Sequence, residues 1–186
     1  MRFRPLLASF AAMALSVSAY ADTYKVDTAH SSVAFKIMHD GVAPVYGLFT
    51  GVTGSVAIDG DSGSVDLTVK VETVNTGMPP RDKHLKSEDF FAAANFPTIT
   101  FKSTKFVKTG DNTYDVTGNL TLHGVTKEIT VKATVTPEGK GGMQGTTPVR
   151  GFETTFTIKR SDYGISFGIP GVGDEVTLMV GIEGAK

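Results

Sequence analysis

The sequence predicts an all-β domain whose strands cover one another, and three observations predict it. Apolar and polar residues alternate with a period of two through most of the chain. Clusters of Gly, Asp, Asn and Pro punctuate these runs at strand-length intervals. No long amphipathic helical pattern is present to cover a sheet from outside. Side chains two apart on a strand share a face, so each run offers one apolar face that needs a partner. About eight to nine such strands can bury their apolar faces as a closed up-and-down barrel or as a two-sheet sandwich. Alternation alone does not choose between them.

Before the strands comes an address. Arg2 and Arg4 precede an apolar run from Leu6 to Val17, and Ala19-Tyr20-Ala21 follows. A basic start, a short apolar stretch and small residues at a cleavage site describe a secretory signal peptide, residues 1–21. The run is much shorter than the roughly 20 apolar residues of a membrane span, so no stable membrane anchor is expected. Residues 22–186 then form one exported domain.

The strand runs follow in order. Val33, Phe35 and Ile37 share a parity that His39 continues. After the turn signal Asp59-Gly60-Asp61-Ser62-Gly63, Val65, Leu67, Val69 and Val71 alternate with polar residues. One segment reads as helical: Ser87 as cap, Glu88 and Asp89 in the first turn, Phe90 to Ala94 as body, with Asn95-Phe96-Pro97 ending it. A further helical turn fits Pro80 to Leu85. Thr109 to Asn112 is a turn, and Tyr114, Val116, Leu120 and Leu122 share the next face. His123-Gly124 reads as a tight hairpin before Ile129, Val131, Ala133 and Val135. Gly139 to Pro148 reads as a long, mobile, Gly-rich connection. Phe152, Phe156 and Ile158 share a face whose parity Arg160 keeps, and Gly164 to Gly173 links them to Val176, Leu178, Val180 and Ile182.

Composition excludes several functions. The chain has no Cys, so disulfide scaffolds, thiol nucleophiles and Cys-ligated metals are out. Lys plus Arg is 18 against 19 Asp plus Glu, a net −1 that gives nucleic acid no electrostatic footing. The four histidines, His30, His39, His84 and His123, show no short ligand spacing, so no metal and no other cofactor is expected. Gly164-Ile-Ser166-Phe-Gly168 matches a hydrolase elbow in letters only, because that elbow needs a strand-to-helix turn. Free strand edges leave a homodimer open.

Ordered motifs run through the rest of the chain: Asp27-Thr-Ala-His30-Ser31, Phe35-Lys-Ile-Met-His39, Gly47-Leu-Phe49, Asn75-Thr-Gly, Arg81-Asp82-Lys-His84-Leu85, Ser87-Glu-Asp89-Phe90-Phe91, Phe96-Pro97-Thr-Ile-Thr-Phe101, Gly118-Asn-Leu-Thr-Leu-His123-Gly124-Val-Thr-Lys127 and Arg160-Ser161-Asp162-Tyr163-Gly164. In this order they resemble the YceI-like family of exported lipid-binding proteins. Tyr24 and Tyr163 depart from the Trp and Phe common there, but both keep an aromatic. The resemblance implies a lipocalin-like, eight-stranded antiparallel β-barrel with one or two short helices. It also implies an elongated apolar cavity for a long-chain amphiphile such as a polyprenyl phosphate, an isoprenoid quinone or a fatty-acid amide. Family members are periplasmic or secreted, so a periplasmic protein that binds and carries a lipid without catalysis is expected.

Parity and resemblance together nominate a cavity wall: Phe35, Ile37, Phe49 and Phe91 from the first half, Phe101, Phe156, Ile158 and Leu178 from the second. Phe90 and Phe91 cannot face one way on a short helix, so one seals the barrel and the other lines it. His39, Arg81, His84, Arg160 and Asp162 are nominated for the mouth. An Arg fork suits phosphate or carboxylate, while the structural alternative pairs Arg160 with Asp162 and Arg81 with Asp82. The rival functions are a lipid-acting enzyme that uses the mouth histidines, and an envelope stress or interaction protein whose barrel is packed solid.

Overall fold

The computed structural model describes residues 21–186; all but Ala21 of the expected signal peptide lies outside them. Among the described residues the strands are β1 (Asp22–Val26), β2 (Ser32–His39), β3 (Ala43–Phe49), β4 (Thr53–Asp59), β5 (Ser62–Lys70), β6 (Thr98–Lys108), β7 (Thr113–Leu122), β8 (Val125–Val135), β9 (Gly139–Gly141), β10 (Thr147–Lys159) and β11 (Val172–Ala185). A helix, α1 (Pro79–Leu85), lies between β5 and β6.

Register decides between barrel and sandwich. β1 and β2 lie end to end along one edge of β11, with Val26 opposite Gly184 and Ser32 opposite Gly181. β3 and β4 repeat the arrangement one strand over, β3 on β2 and β4 on β1. Each pair therefore acts as one long interrupted strand. From there β4, β5, β6, β7 and β8 pair in sequence order. β10 joins β8 to β11, and the ring closes as eight antiparallel strand paths. Among the described residues, closure leaves only the outer sides of β3 and the short β9 without a partner strand.

Inward parity follows the alternation. Tyr114, Val116, Leu120 and Leu122 on β7 are all buried. The base of the barrel is filled by Tyr24, Val52, Val56, Ile58, Phe152 and Ile182. Tyr24 packs edge-on to Phe152 at 5.9 Å. A second cluster, Phe90, Leu120, Leu122, Tyr163 and Ile165, lies toward the opposite end.

Two expectations need correction. The helix is Pro79–Leu85, and the Ser87 segment is a series of turns. Prolines at the first two helical positions start α1 where their missing N–H groups cost nothing. Ser87 then closes the helix instead of opening one, its Oγ donating to the His84 carbonyl at 2.7 Å. Ala92, at φ 44°, stops any helix forming beyond it. The Gly139–Pro148 stretch is also no open connection. Gly139–Gly141 forms β9 and pairs with Thr147–Val149, extending β10 into a hairpin.

Candidate functional site

The barrel encloses an elongated apolar cavity of about 410 Å³, reaching from the level of His39 and Val172 down to Phe152 and Ile182. On β11 the stretch from Val172 to Ile182 is about 33 Å of strand at 3.3 Å per residue. The usual barrel tilt of 35–45° shortens that to about 25 Å along the axis. The space is a narrow tube rather than a bowl, and the interior is not packed solid.

All eight nominated wall residues line it: Phe35, Ile37, Phe49 and Phe91, and Phe101, Phe156, Ile158 and Leu178. Phe35, Phe49 and Phe91 form a chain of rings at 5.6 and 5.5 Å. The division of labour expected for Phe90 and Phe91 is softer than stated, since both line the cavity. Phe91 packs with the main core and Phe90 with the upper cluster. Phe96 lies elsewhere, edge-on to His123 at 4.7 Å beneath the β7–β8 hairpin.

At the open end the structure brings together His39, Arg81, His84 and Arg160, all bordering the cavity. His39 is more than half exposed and its Nδ1 lies 3.2 Å from Asp40. His84 bonds Asp89 through Nε2 at 2.8 Å. Neither ring bonds a hydroxyl among the described residues. Arg81 donates to the Thr76 hydroxyl from Nε and to the Thr76 carbonyl from Nη2. The expected Arg81–Asp82 pair is absent, because Asp82 accepts instead from the Thr76 N–H and hydroxyl at 2.8 and 2.6 Å. These bonds use two of the five guanidinium N–H groups of Arg81.

Arg160 is only 4 % exposed. Its fork donates to the carbonyls of Gly173, Ile165, Phe167 and Val172 at 2.7–3.0 Å. Four of five donors are thus spent on backbone, and the Gly164–Gly173 connection is laced to the barrel rim. Burial pushes the guanidinium down from its ordinary value, and Asp174 opposes that. Asp174 is itself held low by the Ser161 N–H and hydroxyl. Asp162 does not belong to the site. It is half exposed, outside the cavity lining, and 3.9 Å from Lys127 rather than paired with Arg160. The reason is local: Arg160–Tyr163 is a 3₁₀ turn, which breaks the strand parity that placed Asp162 near Arg160.

The sequence reading overlooked Phe167. It is 47 % exposed yet borders the cavity, and it packs edge-on to His84 and Phe90 at 5.5 and 5.4 Å. His84 and Phe90 are 5.1 Å apart, so three rings from three segments meet at the mouth. Phe167 sits in a Gly/Pro-rich connection without periodicity, which left no signal for it. Val45 was also missed, although Val45, Gly47 and Phe49 keep one parity on β3.

An antiparallel barrel closed around an apolar tube, with His39, Arg81, His84 and Arg160 gathered at one end, defines a class of protein with room for an elongated nonpolar molecule. The chain belongs to the YceI-like family, whose domain model matches residues 24–184. It is 37% identical to a UPF0312 protein of Pseudomonas aeruginosa (strain LESB58), over 97% of this chain and 95% of that one. Among solved structures it resembles BcnA of Burkholderia cenocepacia, with a TM-score of 0.75 and 28% identity, covering 85% of this chain and 98% of that one. A polyisoprenoid binding domain from Saccharophagus degradans shares the fold, with a TM-score of 0.68 at 20% identity, covering 87% and 97%.

Proposed function

We propose that this protein is an exported carrier that shields a long-chain isoprenoid, a polyprenyl phosphate or an isoprenoid quinone, inside its barrel without chemically altering it. The observation that carries the reading is the tube itself: some 25 Å long by strand geometry, apolar for most of its length, with His39, Arg81, His84 and Arg160 gathered at the open end. Such a shape matches a linear hydrocarbon tail with one headgroup. The polyisoprenoid binding domain that shares the fold supports the same ligand class. Energetics favour the tail. Each buried methylene contributes about 0.8 kcal/mol, so ten contribute nominally about 8 kcal/mol before the entropic costs of association. The headgroup then needs only modest help from Arg81, His39 and His84, and selectivity for it is loose. Export rests on the amino-terminal signature, and carriage across an aqueous compartment follows from export.

Native mass spectrometry of protein purified after export, followed by analysis of its organic extract, tests this. A stoichiometric polyprenyl or quinone species is the expected result. An empty protein that also refuses added quinones and polyprenyl phosphates would sink the proposal.

A further inference from the structure

Several aromatic rings of the cavity wall are paired with a glycine on the neighbouring strand. Phe35 on β2 stands opposite Gly47 on β3, and a Cβ placed on Gly47 would clash with the outer edge of the Phe35 ring. Phe101 leans over Gly118 in the same way, its Cζ 2.6 Å from where a Cβ would lie. Phe106 covers Gly63 at 3.1 Å. Neither Gly47 nor Gly118 has a positive φ, so turn geometry does not require glycine at either place. A strand interior ordinarily disfavours glycine. Space explains it here: the missing side chain is the berth in which the ring lies.

The two berths differ in what surrounds them. At Gly118 an added Cβ would also strike backbone, the Lys102 carbonyl oxygen at 2.6 Å and the Ser103 Cα at 2.8 Å. At Gly47 the three nearest atoms all belong to the Phe35 ring. A methyl group there meets the ring before it meets any strand backbone. Phe35 is packed against Phe49 at 5.6 Å on one side, and the open volume next to it is the lumen. Phe35 also pairs with Leu178, partway along β11 between Val172 at the mouth and Ile182 at the base. The ring therefore guards the waist of the tube.

We propose that Gly47 sets the bore of the cavity at its waist, by letting Phe35 lie against β3, and so determines how long and how thick a tail reaches the lower half of the barrel. This rests on the lipid-binding reading above. Isoprenoid tails carry a methyl branch on every unit and are wider than straight chains, so a ring raised into the lumen stops them first.

The test compares wild type, Gly47→Ala, Phe35→Leu and the double variant. Each is titrated with isoprenoid quinones of graded tail length and with a straight-chain fatty acid, and the lipid-free Gly47→Ala protein is crystallised. In Gly47→Ala the long-tailed quinones are expected to weaken at least about tenfold, the scale of an overpacked site, while the shortest-tailed quinone and the fatty acid bind as before. Adding Phe35→Leu restores the long tails. Unchanged long-tail affinity in Gly47→Ala overturns the proposal, as does a crystal structure in which the Phe35 ring has not moved into the lumen. Should Gly47→Ala fail to fold, Phe35→Leu decides alone: it is expected to widen the range of tails accepted, and an unaltered range overturns the proposal. If wild type binds no probe, the lipid reading fails by itself, and the crystal structure still decides whether Gly47 sets the bore.

Discussion

Arg160 shows how one residue can organise the mouth. A buried guanidinium needs partners, and four carbonyls supply them, two from the irregular connection ahead of β11 and two from the first residues of β11. Arg160→Met would orphan those carbonyls and free residues 164–173. The expected loss is about 3 kcal/mol or more, read as a lower urea midpoint at unchanged slope. Arg160→Lys would rescue little, because an ammonium cannot span the same fork. A second residue-scale device lies at the β1–β2 interruption. His30 Nδ1 is 2.9 Å from Asp27 and 3.9 Å from Glu183. The hydrogen bond and charge of Asp27 raise His30 above its ordinary 6.5. The His30 hydrogen bond, with help from the Ala29 N–H, lowers Asp27 below its ordinary 3.8. The contribution from His30 is complete below pH 6.5 and fades as pH rises through its raised value; that from Asp27 is complete above pH 3.8 and fades as pH falls through its lowered value. The latch is therefore tightest between those two values. Wild type should lose stability as pH rises above 6.5, and Asp27→Asn should flatten that slope. Equal slopes in urea midpoints across that range would remove the pair from the account.

At the scale of elements, turns determine where strands begin and end. The β7–β8 hairpin turns through His123 at φ 51° and Gly124 at φ 74°, both left-handed, as a two-residue turn with the favoured twist requires. Gly124 also lies over Phe96, whose Cε1 would sit 2.5 Å from an added Cβ. Gly124→Ala meets a backbone penalty and a steric one together, and about 1–3 kcal/mol of destabilisation is expected by thermal or urea unfolding. An undamaged hairpin would show that Phe96 has room to withdraw. This turn was legible in the sequence because a glycine, preceded by a histidine that tolerates left-handed backbone, sits between two alternating runs. The helix was less so. Ser87 can open a helix or close one, and only the seating of Pro79 and Pro80 at the first positions of α1 decides for closing.

For the molecule as a whole, the cavity is a stability reservoir. Phe and Leu side chains facing the lumen have no protein partners on that side, and a tail in the tube would supply them. A ligand held only by the folded state stabilises by about 2.7 kcal/mol at a hundredfold excess over Kd. For a domain of this size that predicts a rise in Tm of roughly 5–10 °C. Thermal scans with and without an isoprenoid quinone check it, and a flat response at saturating quinone would contradict occupation of the tube.

What the amino-acid sequence determined by itself was local: which residues face inward, and where the chain turns. Phe35, Ile37, Phe156, Ile158 and Leu178 were legible as wall because parity on a strand is a property of neighbours in sequence. Ring closure was not, since β1 and β2 sharing β11 depends on pairs more than 130 residues apart. Nor could parity reach past Lys159, where the strand becomes a 3₁₀ turn. Arg160 and Asp162, two residues apart, there part company into a buried clamp and an exposed surface charge. The cavity itself belongs wholly to the tertiary structure: whether inward rings meet across the axis or lie back against glycines such as Gly47 is settled only when the facing strand is in place.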